Sequence, residues 1–175
     1  MGSTETLLSR ALEGASSAGA TVERLILNDI DFKPCQACGG CAKSGVCVLR
    51  DGLKSVYDKI GSADAVIIGS PVFFVSVSAQ LKMMIDRFHC VWVAKNILGK
   101  KSARAEPKKG IFLSVASSVK EGTFDNAKSV IKAFFSTIDT DYSGELLCRG
   151  IDKRRDILKD KASLDKAFRL GRAIV

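Results

Sequence analysis

Short apolar runs alternate with amphipathic stretches along this chain, and that alternation constrains the fold most strongly. Residues 65–68 form a continuous apolar run that ends at a Gly-Ser-Pro turn signal, a pattern typical of a strand buried on both faces. Further strands are predicted over residues 22–27, 110–115 and 142–147. Strands that alternate with helical stretches predict an α/β fold with an open parallel sheet, helices on both of its faces and right-handed crossovers.

Helical spacing of apolar residues predicts helices between these strands, over residues 6–17, 52–60, 77–88, 124–138 and 163–173. A chain of 175 residues with 46% hydrophobic residues suits one domain, which we expect to span residues 1–175, with a loop inserted at residues 32–50. Ligands of open parallel sheets bind beyond the carboxyl ends of the strands. That rule predicts a binding site formed by the inserted loop and by the loops that leave the strands near residues 70 and 114.

The inserted loop carries a compact cysteine motif, Cys-x2-Cys-x2-Cys-x5-Cys, formed by Cys35, Cys38, Cys41 and Cys47. A cubane iron–sulfur cluster offers one iron to each of four thiolates, and a short loop can surround it if the backbone turns sharply between ligands. The two glycines after Cys38 permit such turns, because glycine reaches positive φ without steric cost. The spacing therefore favours a [4Fe–4S] cluster.

Zinc, disulfides and free thiols stay open as alternatives for the motif. Four-thiolate zinc sites usually come as two separated Cys-x2-Cys pairs, and disulfides belong mainly to small secreted domains. The isolated Cys90 and Cys148 are interpreted as small buried hydrophobic residues. The single histidine, His89, and the charged residues Lys82, Asp86 and Arg87 are assigned no chemistry.

Residues 69–87, Gly-Ser-Pro-Val-Phe-Phe-Val-Ser-Val-Ser-Ala-Gln-Leu-Lys-Met-Met-Ile-Asp-Arg, resemble the flavin-contacting segment of the flavodoxin-like NADPH-dependent FMN reductases. Together with the cysteine motif, they make nearly the whole chain similar to the iron–sulfur flavoproteins of archaea and anaerobes. The resemblance implies a flavodoxin-like fold that binds FMN, with a [4Fe–4S] cluster close to the flavin. It also implies a homodimer or homotetramer.

The same resemblance assigns residues to the FMN site. Hydroxyl groups at the N-terminus of the first helix suit a phosphate, and an aromatic pair that follows a strand end suits a planar ring. Ordinary core packing is the alternative for the aromatic pair. The residues implied as FMN contacts are Ser3, Thr4, Thr6, Ser70, Pro71, Val72, Phe73, Phe74, Ser114 and Ser117.

The N-terminus departs from the family pattern. Family members begin with a strand and a phosphate-binding loop, whereas this sequence starts at Met-Gly-Ser-Thr, which matches only the end of that loop. In the flavodoxin strand order 2-1-3-4-5 the first strand is central. We therefore expect a sheet without its first strand, with the cysteine loop following the second.

The net charge is +8, and its excess lies in residues 100–175, which hold seventeen Lys and Arg against ten Asp and Glu. Acidic residues interrupt the basic runs, which argues against a nucleic-acid partner. A solvated helix face and a docking surface for an acidic ferredoxin are the two other interpretations of the basic excess. We expect a cytoplasmic oxidoreductase, with no membrane segment, that passes electrons between the cluster, FMN and a quinone, oxygen or peroxide. Ferredoxin or NAD(P)H would be the donor, and no catalytic side chain is predicted.

Three alternatives remain open. The first is an NAD(P)H-dependent FMN or quinone reductase whose cysteines hold no cluster. The second is an electron carrier that has only the cluster, and the third is a basic zinc-loop protein that binds nucleic acid.

Overall fold

The computed structural model describes residues 2–100 and 104–175. In those ranges three strands form, which are β1 (Ala65–Pro71), β2 (Lys108–Val115) and β3 (Thr140–Cys148). The helices are α1 (Ser3–Ser17), α2 (Leu53–Ser62), α3 (Ala79–Arg87), α4 (His89–Asn96), α5 (Asp125–Thr137) and α6 (Lys161–Ala173), and short 3₁₀ helices cover Leu27–Asp29 and Asp156–Lys159. No helix in the described ranges is both long and apolar enough to cross a bilayer.

The strands form one parallel sheet in the order β1-β2-β3, so that β2 is central. Apolar side chains from α1 and α6 pack on one face of the sheet, and those from α2, α3 and α5 pack on the other. The predicted open parallel α/β sheet with helices on both faces is therefore confirmed.

The strand predicted at residues 22–27 does not form. These residues approach the 3₁₀ helix Leu27–Asp29 as irregular chain, and Val22 and Ile26 are 40% and 44% exposed. Strand-forming side chains stabilise a strand only where a neighbouring strand completes its hydrogen bonds, and β1 pairs only with β2 among the described residues. The cysteine loop therefore follows a 3₁₀ helix and precedes β1.

The helix predicted at residues 77–88 forms as α3. A second helix, α4, follows directly after Phe88 and was not predicted from the sequence. The other helices and strands lie within a few residues of their predicted bounds. Part of the basic connection predicted between residues 99 and 109 lies outside the described residues.

Two glycines allow α1 and α6 to cross closely. A Cβ atom added at Gly171 would lie 1.8 Å from the carbonyl oxygen of Ala11, and one added at Gly14 would lie 2.0 Å from that of Phe168. Both distances are far inside van der Waals contact with backbone atoms. The crossing therefore depends on the absence of side chains at these positions.

We expect Gly171→Ala to lower the free energy of unfolding by about 2 kcal/mol or more, because the methyl group forces the two backbones apart. Gly61→Ala is the matched control, since a Cβ at this exposed position in α2 meets no atom within 4 Å. It should raise stability by about 0.5 kcal/mol. Urea unfolding of both variants measures the difference, and equal effects would show that the crossing tolerates a side chain.

Candidate functional site

Two buried serines connect the loops at the carboxyl edge of the sheet. Ser70 of β1 and Ser114 of β2 are register partners with no exposed surface. The Ser114 hydroxyl donates to the Ser70 carbonyl at 2.7 Å. The Ser70 hydroxyl accepts from the backbone N–H of Ser78 at 3.0 Å and donates to the Pro71 carbonyl at 2.9 Å. These bonds brace the segment that leaves β1.

That segment, residues 72–78, is called the aromatic loop below. Phe73 and Ser76 exchange two backbone hydrogen bonds of 3.0 Å, which closes a tight turn. Within the turn Phe74 and Val75 have φ values of 48° and 55°, a costly conformation for bulky side chains. Phe73 is 61% exposed, and Phe74 is wholly exposed. The alternative in which this pair packs in the core is therefore wrong.

The N-terminus of α1 lies beside the same edge. The methyl group of Thr4 comes within 3.3 Å of the position that a Cβ on Gly69 would take. Ser3 and Thr6 are buried, and the Thr6 hydroxyl donates to the carbonyl of Gly2 at 3.0 Å. The Ser3 hydroxyl is buried without a hydrogen-bond partner among the described residues. A helix N-terminus with such a hydroxyl is suited to an anion.

The structure thus brings most of the predicted FMN residues to one edge of the sheet. Ser3, Thr4 and the β1 and β2 ends meet there, and the aromatic loop projects from it. Ser117 lies exposed in the loop that follows β2.

The cysteine segment, defined here as residues 33–51, is irregular chain without a long helix or strand. Cys35 and Cys38 are exposed, Cys41 and Cys47 are half-buried, and all four are free thiols. Among the described residues, no three His, Cys, Asp or Glu side chains lie close enough to hold a metal ion. The four thiols are therefore not gathered around one point in this structure. The four thiols have the chemistry that a cluster requires of its ligands, but they do not have the arrangement around a cluster in this structure.

Arg87 fastens the two ends of the cysteine segment. Its side chain is 1% exposed and donates to both carboxylate oxygens of Asp51, at 2.7 and 3.1 Å, and to the carbonyl of Lys33 at 2.7 Å. Asp51 also accepts from the backbone N–H groups of Lys33 and Leu53, each at 3.2 Å. Arg87 is thus a buried structural cation, which the sequence analysis missed, whereas Lys82 and Asp86 form an exposed pair on α3.

The surroundings of Arg87 shift several ionisations. Its hydrogen bonds hold the pKa of Asp51 below the ordinary range for a carboxyl group. The hydroxyl of Tyr57 and the thiol of Cys90 both donate to the Arg87 carbonyl, at 2.9 and 3.4 Å, and burial raises the pKa of each. Interactions with the Tyr57 hydroxyl and with the backbone of Cys47 lower the pKa of Cys90 and act against this rise. Cys90 is therefore buried as predicted, but it lies against the cysteine segment.

Comparison with known proteins identifies the family. The model of the family described as NADPH-dependent FMN reductase matches residues 1–136. The chain belongs to the NADPH-dependent FMN reductase family. The family predicted from residues 69–87 and the cysteine motif is confirmed.

Within this family the chain is similar to iron–sulfur flavoproteins. It is 30% identical to one from Methanosarcina thermophila over 126 residues, which are 72% of this chain and 62% of that protein. It is 40% identical to one from Methanocaldococcus jannaschii over 86 residues, 49% of this chain and 45% of that protein. The chain thus spans between about half and two-thirds of the length of these relatives.

Solved structures support the fold. An NAD(P)H:quinone oxidoreductase from Methanothermobacter marburgensis superposes with a TM-score of 0.75 at 21% identity, over 99% of this chain and 89% of that one. The azoreductase AzrA superposes with a TM-score of 0.68 at 16% identity, over 98% and 92%. At these identities the likeness establishes the flavodoxin-like fold alone.

Proposed function

We propose that this chain is an FMN-dependent oxidoreductase that also carries a [4Fe–4S] cluster on its four motif cysteines. The observation that carries the proposal is the meeting of the exposed aromatic loop and the N-terminus of α1 at one edge of the sheet. A planar ring needs an apolar surface beside backbone groups, and its phosphate needs hydrogen-bond donors. When bound, FMN supplies hydride and single-electron transfer.

The residues have distinct roles toward FMN. Ser3, Thr4 and Thr6 would hold the phosphate, with the unpartnered Ser3 hydroxyl as the first donor. Pro71, Val72, Phe73 and Phe74 would line the ring. Ser70 and Ser114 would support the FMN site without touching FMN through their hydroxyls, because both hydroxyls are fully buried and hydrogen-bonded to the backbone that holds the aromatic loop.

Cys35, Cys38, Cys41 and Cys47 would hold the cluster, which supplies single-electron transfer. The cysteine segment can rearrange around it, because no long helix or strand would have to be broken, while Arg87 keeps its two ends in place. Four thiolates also suit zinc, so a flavin reductase with zinc is the second candidate.

The donor is proposed to be NAD(P)H or ferredoxin, and the acceptor a small molecule such as a quinone, oxygen or peroxide. The family description names NADPH, whereas the exposed Lys153, Arg154 and Arg155 suit an acidic protein. The exposed apolar side chains of the aromatic loop also suit a subunit contact in a homodimer or homotetramer. The free thiols suit a reducing cytoplasm.

Anaerobic reconstitution with FMN, ferrous iron and sulfide tests the proposal. We expect about one FMN, four iron and four sulfide per chain after desalting, and bleaching of the flavin absorbance by NADPH or reduced ferredoxin. Flavin with zinc and no retained iron would favour the second candidate. Retention of iron without flavin would contradict the role of the aromatic loop, and retention of neither would overturn the proposal.

A further inference from the structure

The guanidinium of Arg87 has a buried N–H group that the fold does not use. A guanidinium has five N–H groups, and three of those of Arg87 donate to the carbonyl of Lys33 and to the two carboxylate oxygens of Asp51. The Nε atom is buried and has no hydrogen-bond partner among the described residues. A buried donor without an acceptor is costly, so the unpartnered Nε–H group indicates an acceptor that binds here in the functional protein.

The position of Asp51 determines which side of the guanidinium is available to that acceptor. Both Nη atoms of Arg87 bind the Asp51 carboxylate, at 2.7 and 3.1 Å. In a planar guanidinium Nε lies opposite the edge formed by the two Nη atoms, so it is the nitrogen farthest from the carboxylate. Asp51 also accepts from the backbone N–H groups of Lys33 and Leu53. An acceptor at Nε would therefore meet the positive charge of Arg87 rather than the carboxylate.

Cys47 is a motif cysteine whose charge acts on Arg87. Burial lowers the pKa of Arg87, but the hydrogen bonds with Asp51 and interactions with Tyr57 and Cys47 outweigh burial, so that the pKa is raised. The guanidinium therefore keeps its charge. A sulfur atom that binds iron also accepts N–H hydrogen bonds, and such bonds are one of the ways in which a protein sets the potential of a cluster.

The chain that leads to Cys47 is fixed in position. The carbonyl of Ser44 accepts from the Nζ atom of Lys100 at 2.7 Å. Gly45 packs so closely on α4 that an added Cβ would lie 2.6 Å from the Cβ of Ala94. The Cys47 end of the motif is therefore held in place, and the rearrangement that gathers the four thiols falls mainly to the rest of the cysteine segment.

We propose that Arg87 is a positioning residue for the [4Fe–4S] cluster, in which its Nε–H group donates to the Cys47 sulfur and its charge stabilises the reduced form. The inference rests on the proposed function and adds a residue outside the ligand set. One-electron reduction, with the electron from the proposed donor, adds one negative charge to the cluster and its thiolates. Arg87 stays protonated, so no proton moves. A buried cation and an N–H bond to a ligand sulfur both favour the added charge, so they raise the reduction potential.

An anaerobic redox titration of the reconstituted protein with dithionite, followed by the EPR signal of the reduced cluster, measures that potential. We expect Arg87→Gln to lower the equilibrium constant for one-electron reduction about tenfold, which lowers the midpoint potential by about 59 mV. Arg87→Lys keeps the charge but lacks the Nε–H group, so its potential should fall by less. Lys82→Gln on α3 is the matched control, and its potential should not change, because its exposed charge is screened.

Asp51→Asn separates the effect of charge from the effect of anchoring. Arg87→Gln and Asp51→Asn break the same ion pair, and both loosen the ends of the cysteine segment. Asp51→Asn leaves the charge of Arg87 uncompensated, so the potential should rise in this variant while it falls in Arg87→Gln. If the pair only anchored the segment, both variants would shift the potential in the same direction.

The outcomes decide between the two roles. Opposite shifts in Arg87→Gln and Asp51→Asn support the proposal, whereas shifts in one direction, or an unchanged potential in Arg87→Gln, overturn it. If Arg87→Gln retains no iron, Arg87→Lys takes its place in the same comparison. Wild-type protein without iron would overturn the proposed cluster and this role together, whereas about four iron per chain with shifts in one direction would overturn this role alone.

Discussion

Arg87→Met will lower the free energy of unfolding by about 3–5 kcal/mol. The methionine keeps much of the apolar stem but leaves the Asp51 carboxylate, with its side chain only 16% exposed, without its cation. It also leaves the Lys33 carbonyl without a donor. Lys82→Met on the same helix is the matched control, since its exposed pair with Asp86 contributes less than about 0.5 kcal/mol. Urea unfolding measures both.

Proteolysis of the cysteine segment gives a second measurement of the effect of Arg87→Met. The bonds of Arg87 hold the two ends of the cysteine segment, so their loss should speed tryptic cleavage inside residues 33–51 under native conditions. Cleavage elsewhere should change only as far as global stability does. If Arg87→Met behaves like Lys82→Met in both measurements, Arg87 does not fasten the segment.

The Arg87–Asp51 pair also predicts how stability depends on pH. The folded-state pKa of Asp51 is depressed, so the pair stabilises fully above the ordinary aspartate pKa of about 4. That contribution is lost as the pH falls through the lower, folded-state pKa. Wild-type protein should therefore lose more stability than Asp51→Asn between about pH 5 and pH 3. Parallel pH profiles would show that Asp51 gains no stabilisation from Arg87.

Cys41→Ala should reduce iron retained after anaerobic reconstitution from about four to fewer than one per chain. A cubane cluster that loses one of four thiolate ligands becomes open to solvent and is easily lost. Cys148→Ala is the matched control, because this buried thiol donates to the Ser163 hydroxyl, remote from the motif. It should keep its full iron content. Iron and acid-labile sulfide are measured chemically, without recourse to activity.

Cys90→Ala completes the series, because this thiol lies against Cys47 inside the fold. Full retention of iron in Cys90→Ala alongside loss in Cys41→Ala would support the motif cysteines as the ligand set. Full iron content in Cys41→Ala would contradict the assignment. An equal loss of iron in Cys41→Ala and Cys148→Ala would show that the loss comes from impaired folding.

The sequence by itself determined the features that depend on local pattern. The three observed strands were predicted within a few residues, because short runs of apolar and strand-forming residues between helical stretches indicate buried strands. Ligands of open parallel sheets bind beyond the carboxyl ends of the strands. That rule placed Ser70, Ser114 and the aromatic loop at one edge of the sheet before any contact was known. The family followed from residues 69–87 and the cysteine spacing.

The tertiary structure alone decided the features that depend on a distant neighbour. Residues 22–27 have strand-forming side chains but form no strand, because they lie across a pocket from β1 and do not pair with its free edge. The sequence of its helix indicates that Arg87 is a surface charge. Arg87 is nevertheless buried, because Lys33 and Asp51, which are distant in sequence, bind its side chain. Such outcomes depend on which backbone groups meet in space, and side-chain spacing along one segment carries no information about that.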